Sequence, residues 1–210
     1  MIKVERIKCG NGNCFLIHEN GNAVLVDTAV KKHRDRVLNF CKTMNVKLIL
    51  LTHGHIDHVQ NTAYLSKKLN APVAMHKDDF ELILNNMSRP LLAHTVIGKL
   101  LLRHSMKILR KEKIEPFCPI IFVEDGDSLF DVGLNAKIVG LPGHTKGSVG
   151  VLVDDREFIV GDALMNILSP SKTLLYEDKE NMVASSAKVK RSNACIIHFG
   201  HGNSTSDKTW

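Results

Sequence analysis

Two kinds of apolar pattern alternate along this chain: short continuous runs bounded by turn residues, and longer stretches in which apolar residues recur every three or four positions. The first kind predicts strands and the second amphipathic helices. Ile2 to Ile7, Cys14 to His18 and Ala23 to Val26 read as a β-meander, with turns at Gly10 to Asn13 and at the pair Asn20-Gly21, a strong hairpin signal. Val30, His33, Val37, Phe40, Cys41 and Met44 predict a helix over residues 30–44. Val46 and the run Leu48 to Leu51 then predict a strand buried on both faces, as expected at the centre of a sheet. Val59 to Leu69 reads as a second helix, and Ala71 to Met75 as a strand with Pro72 at its start. Residues 78–115 read as mostly helical, with Ile97, Leu101, His104 and Ile108 on one face and Pro116 and Pro119 closing the region.

The second half returns to strands at Ser128 to Phe130, Ala136 to Val139, Val149 to Val153 and Phe158 to Val160, followed by a helix near residues 177–190 and a last strand over Ala194 to His198. This order favours two half-domains, each with strands first and helices after, over one doubly wound parallel sheet. At 210 residues the chain is long enough to bury one core without covalent staples, so a single domain is expected, with residues 78–115 inserted as a helical cap. No apolar stretch approaches the ~18 residues of a membrane span, so no membrane association is expected. The first fourteen residues carry charges but no apolar segment of the secretory kind, and Cys9, Cys14, Cys41, Cys118 and Cys195 are scattered without a CxxC pair. Both features lead to the expectation of a cytoplasmic protein without structural disulfides.

The formal charge of +6 is unevenly placed. Residues 99–113 hold six bases (Lys99, Arg103, Lys107, Arg110, Lys111 and Lys113) against one acid, Glu112. Such a stripe is most often a solvated helix face, but Lys99, Arg103 and Lys107 are candidates for holding an anionic substrate, because a local cluster focuses an anion.

The densest chemistry lies in VKLILLTHGHIDH, residues 46–58, where a buried strand runs into four metal-binding side chains within six residues. His53 and His55 flank Gly54, so one turn directs both imidazoles at one ion, while Asp57 and His58 serve a second. His144 after Pro142-Gly143, Asp162 after Gly161, and His201 within Phe199-Gly200-His201-Gly202 each follow a predicted strand. Strands sharing a direction bring these loops to one edge. The simplest partition of the seven groups gives His53, His55 and His144 to one metal, Asp57, His58 and His201 to the other, and Asp162 to both.

Thr52 to His58, with His144, Asp162 and His201 at these intervals, resembles the metallo-β-lactamase superfamily of metal-dependent hydrolases over nearly the whole chain. The resemblance implies an α/β fold, a four-layer αβ/βα sandwich, with the metal site at the sheet edge and the ligand partition just given. It also implies that Asp27, in Leu25-Val26-Asp27-Thr28, orients a ligand by hydrogen bonding from behind. The family often has glycine where Ala29 stands and proline where Lys146 and Phe199 stand; these departures touch loop shape and leave the ligands intact. His18, His33, His94, His104, His76 and His198 read as structural or solvated histidines.

Two divalent ions, with zinc the default and iron or manganese equally compatible with such ligands, would share a water, lower its pKa toward ~7 and supply hydroxide for attack on a small ester or thioester. Asp57 would position that water and carry a proton to the leaving group. The full ligand set resembles glyoxalase II-like thioesterases more than β-lactamases, although no glutathione-binding helical domain follows His201. Quorum-sensing lactonases resemble the site too, but commonly carry tyrosine where this chain has Met165. Competing readings are a mononuclear-iron persulfide dioxygenase and a phosphodiesterase or nuclease. The latter is disfavoured by the sparse aromatics, eight Phe, two Tyr and one Trp, which leave little for base stacking. The expected partner is a small, anionic molecule.

Overall fold

A computed structural model describes residues 1–117 and 120–210, with Ile120 by its backbone alone. The chain opens with β1 (Lys3–Cys9), β2 (Gly12–Glu19) and β3 (Asn22–Val26), an antiparallel meander whose second turn places both Asn20 (φ 51°) and Gly21 (φ 85°) in the left-handed region. Two successive positive φ values match the right-handed twist of the flanking strands. From β3 onward the sheet is parallel, through β4 (Asn45–Leu50), β5 (Val73–Met75) and β6 (Ile120–Phe122), and its order is β1-β2-β3-β4-β5-β6. A second sheet has the order β12-β9-β8-β7, from β7 (Ala136–Gly140), β8 (Val149–Val153), β9 (Glu157–Ile159) and β12 (Ile196–His198). A two-stranded ribbon, β10 (Leu164–Met165) and β11 (Ser171–Lys172), lies beside it in sequence.

Strand alternation sorts the apolar residues into layers. Leu16, Leu25, Ile49 and Val73 pack with Val37, Cys41 and Leu65 from α1 (Arg34–Cys41) and α3 (Thr62–Leu69). Their neighbours Ile17, Val24, Val26 and Leu50 turn the other way, against Ile138, Val149, Val151 and Ile159 of the second sheet. Leu152 and Phe158 then face Val189 of α6 (Lys179–Arg191). The layers are therefore helix, sheet, sheet, helix, which is the four-layer αβ/βα sandwich.

Local structure departs from the apolar pattern at several points. The helix expected over residues 30–44 is a 3-10 turn, Lys31–His33, followed by the shorter α1; Val30 before it is extended and Phe40 is 39% exposed. The helix expected from Val59 is split into α2 (Ile56–Val59) and α3, with Asn61 between them. Asn61 Nδ2 lies 2.8 to 3.0 Å from the carbonyl oxygens of Thr28, Ala29 and Val30, tying this break to the end of β3. Residues 78–115 contain α4 (Phe80–Leu84) and α5 (Val96–Leu109) but are irregular over 85–95, where Pro90 has no N–H to give and restrains Arg89. Ser128 makes only a single bridge, to Lys137, and Phe130–Val132 is a 3-10 turn rather than strand. Cys118 and Pro119 lie outside the described residues; Cys9, Cys14, Cys41 and Cys195 are free thiols.

Candidate metal centre

All seven sequence-predicted ligands come together at one edge of the sandwich, five from loops that follow strands and two from the short helix α2. Thr52 and His53 follow β4, and His55, extended, precedes α2, which carries Asp57 and His58. His144 lies in the β7–β8 loop, Asp162 follows β9 and His201 follows β12. Three overlapping groups result, His53/His55/His144, His53/His58/Asp162 and Asp57/His58/His201, each with its donor atoms within 4.8 Å of one another. Asp162 reaches toward both ends: Oδ2 is 3.7 Å from His144 Nε2 and 3.2 Å from His201 Nε2, and Oδ1 is 3.4 Å from His58 Nε2.

The rings are aimed by what they bond behind them. His144 Nδ1 donates to the carbonyl of Leu175 (2.7 Å) and His201 Nδ1 to that of Asn11 (3.0 Å). A carbonyl only accepts, so both imidazoles present the Nε2 lone pair to the centre. His58 Nδ1 meets Asp27 Oδ2 at 2.8 Å, and His53 Nδ1 meets Thr52 Oγ1 at 3.0 Å. Asp27 also accepts from the Thr52 amide (2.8 Å) and hydroxyl, so one carboxylate braces two neighbouring ligands. It does so from a backbone with φ 62°, and Ala29 two residues on has φ 58°, a conformation glycine adopts freely.

This donor set fits divalent metal. His53 Nε2 and Asp162 Oδ1 are buried and have no hydrogen-bond partner among the described residues, although both point into the cluster. Leaving such groups unsatisfied costs ~1–3 kcal/mol each, more for a charge. Burial, with His58 and His144 adding to it, holds His53 well below the ordinary histidine range, so it is neutral and ligand-ready. Burial also disfavours the His58 charge, but Asp162, Asp27 and Asp57 outweigh it and hold that pKa well above its usual value. Carboxylates and imidazoles here compensate one another in the way an ion would.

A group that the linear pattern does not flag sits behind the cluster. Asp79 is fully buried at the start of α4 and accepts from the amides of Gly54 (2.9 Å) and Gly147 (2.8 Å), the Thr145 hydroxyl (2.6 Å) and Arg89 Nη2 (2.6 Å). It thereby joins the loop between His53 and His55 to the loop that follows His144. Arg89 in turn bonds Glu177 (2.9 Å), whose other oxygen accepts the Lys146 amide (2.8 Å); a proline at position 146 has no such donor. Phe199, another position where proline is common, is fully buried in the core beneath β12.

His55, Asp57, His144, Asp162 and His201 of the cluster line the floor of a cavity of about 820 Å³. Its apolar lining comes from Leu101, Ile108 and Leu109 of α5 and from Met165, Ile167 and Leu175. Lys99, Arg103 and Lys107 are exposed and are not part of the lining. At ~100° per residue they occupy the side of α5 opposite Leu101 and Ile108, so the candidate anion contacts from that stripe face away from the site. His33 and His104, read as structural or solvated, instead line the cavity. His76 caps a 3-10 turn by accepting the Asp78 amide, and His198 bonds Glu157 and Ser204.

The profile of the metallo-beta-lactamase superfamily matches residues 7–205, and the chain belongs to that family. It is 25% identical over 200 residues to the hydroxyacylglutathione hydrolase GloC of Haemophilus influenzae, covering 92% of this chain and 86% of that one. Among solved structures it is similar to a metallo-beta-lactamase family protein, TTHA1429 of Thermus thermophilus (TM-score 0.72, 21% identity, 99% of this chain and 75% of that one). It is also similar to TTHA1623 in a di-iron-bound form (TM-score 0.68, 24% identity, 96% and 93%). Among the described residues no helix is long and apolar enough to cross a membrane.

Proposed function

We propose that the protein is a dinuclear metal-dependent hydrolase that cleaves a small ester or thioester, in the manner of glyoxalase II. The observation that carries this reading is that the groups His53/His55/His144 and Asp57/His58/His201 adjoin through a third, His53/His58/Asp162, with Asp57 lining the cavity. The similarity to a hydroxyacylglutathione hydrolase supports the thioester class. Zinc is the default metal, and the di-iron form of a structural relative supports iron as an alternative.

Ions held by His53, His55 and His144 and by Asp57, His58 and His201, with Asp162 between, would activate water and polarise the scissile carbonyl. The chain's own groups do the rest. The Asp57 side chain is about half exposed, with Oδ2 3.3 Å from His201 Nε2; its carboxylate would position the water, accept its proton and pass that proton to the leaving group. Asp27 and the Leu175 and Asn11 carbonyls hold the imidazoles so that no ring reorients during the reaction. Helix α5 acts as the cap, its apolar side closing the cavity over the reacting bond.

The test is elemental analysis of protein purified without added metal or chelating tag, followed by ester and thioester turnover on the same sample. Two metal ions per chain, hydrolysis abolished by chelator, and a severe kcat loss in folded Asp57→Asn and His144→Ala variants are expected. One iron per chain with oxygen uptake on persulfides and no hydrolysis would replace this reading with sulfur dioxygenation.

A further inference from the structure

Part of the cavity lining is cationic. Arg6 and Lys8 of β1 and Lys32 of the 3-10 turn before α1 form that part, and the cavity's carboxylates are Asp57 and Asp162 on the metal floor. Strand register places Arg6 and Lys8 on one side of β1, with Lys8 opposite Asn13. That hairpin is docked on the loop that presents His201: Asn13 Nδ2 donates to the carbonyls of Phe199 (2.9 Å) and Gly202 (2.8 Å), and the Asn11 carbonyl holds His201 Nδ1. Arg6 Nη1 is itself committed to Gly202 O and Asn203 Oδ1. Among the described residues, the ammonium groups of Lys8 and Lys32 have neither a hydrogen bond nor an ion pair. Both lysines are exposed to solvent at the cavity, and uncommitted cations lining a cavity whose carboxylates are confined to the metal-ligand candidates focus an anion there.

We propose that Lys8 and Lys32, with Arg6 fixed beside them, form the anion-recognition site of the cavity, and that the substrate is an amphipathic anion. Its apolar part lies against Leu101, Ile108 and Leu109 of α5. Its carboxylate or phosphate, which share this chemistry, lies on Lys8 and Lys32, and the ester or thioester between them sits over the metal floor. The placement of the reactive bond rests on the hydrolase reading above; the anion site does not.

The experiment uses metal-replete protein and three fluorescent probes with the same dansyl-dodecyl body, ending in a carboxylate, a phosphate or a methyl ether, which a hydrolase does not cleave. Binding of one or both anionic probes about tenfold tighter than the methyl ether is expected, weakening as salt is raised; whichever anion binds better identifies the headgroup. In Lys8→Glu/Lys32→Glu the preference should disappear while methyl-ether affinity stays within twofold, and Lys99→Glu/Lys107→Glu should retain it. Where the reversed pair fails to fold, as read by a thermal melt, Lys8→Gln/Lys32→Gln replaces it. Equal affinity for all three probes, no binding of any, or a preference that survives the lysine substitutions, as direct metal coordination would give, overturns the inference. Matched thioesters with and without a terminal carboxylate separate the two readings. Hydrolysis without preference leaves the hydrolase and removes the anion site; anion preference without any hydrolysis does the reverse.

Discussion

The Asp79 carboxylate accepts the amide of Gly54 at 2.9 Å, so a residue at the start of α4 fixes the backbone between His53 and His55. All its recorded partners donate. In Asp79→Asn one acceptor becomes an N–H facing other donors, in a fully buried position. The expected cost is about 3 kcal/mol, a fall in Tm of roughly 6–12 °C for a chain of this size, with lower metal content at 25 °C. A melt within 2 °C of wild type would show that the network does not hold the two loops.

Asp27 makes a sharper test of ligand support, because asparagine tolerates its positive φ. Asp27→Asn is expected to keep the fold and weaken metal binding by about 10- to 100-fold, the usual effect of losing a carboxylate behind a ligand. Competition against a calibrated chelator measures it; unchanged affinity would assign Asp27 to the backbone alone.

Gly200 precedes His201, and a Cβ there would stand 2.1 Å from Asp162 Oδ1 and 2.8 Å from His58 Cε1. Gly200→Ala should therefore fold yet displace the shared carboxylate. Elemental analysis after dialysis should find less than half the wild-type metal, without any ligand having been changed.

Thiol labelling reads the electrostatics of the β1–β2 hairpin. Burial pushes the Cys41 thiol up to about 12, and burial with the neighbouring Cys9 pushes Cys14 well above its ordinary value. At pH 8 a thiol of pKa about 12 is thiolate in on the order of one molecule in ten thousand. The Cys9 thiol is lowered by its hydrogen bond with Cys14, against burial and with help from Arg36, and it lines the cavity. Under native conditions iodoacetamide followed by peptide mass spectrometry should find Cys195 and then Cys9 modified, Cys9 faster as pH rises, and Cys14 and Cys41 protected until the protein is denatured.

What the sequence made legible follows from how local each feature is. His53, His55, Asp57 and His58 are neighbours in the chain, and the later ligands each follow an apolar run, so their convergence needs only strands that share an edge. The apolar side of α5 was equally readable, and Leu101, His104 and Ile108 do line the cavity, whereas Ile97 is 65% exposed. Periodicity separates the two sides of a helix but does not say which of them lines a cavity, which is why Lys99, Arg103 and Lys107 stand as candidate anion contacts in the sequence although they lie on the side of α5 away from the site. Asp79 carries no linear signal, because its partners lie 10 to 68 positions away. Strand β6 was missed because it is a short edge, with Ile121 and Phe122 about half exposed, and β10 and β11 have two residues each.

The ligands are divided between the two sheets: His53, His55, Asp57 and His58 belong to the first half of the sandwich, and His144, Asp162 and His201 to the second. Any ion bound there stitches the halves together and is released when either one opens. Metal retention is thus a gauge of the integrity of the entire chain. A substitution deep in one sheet, remote from every ligand, should register first as metal leakage.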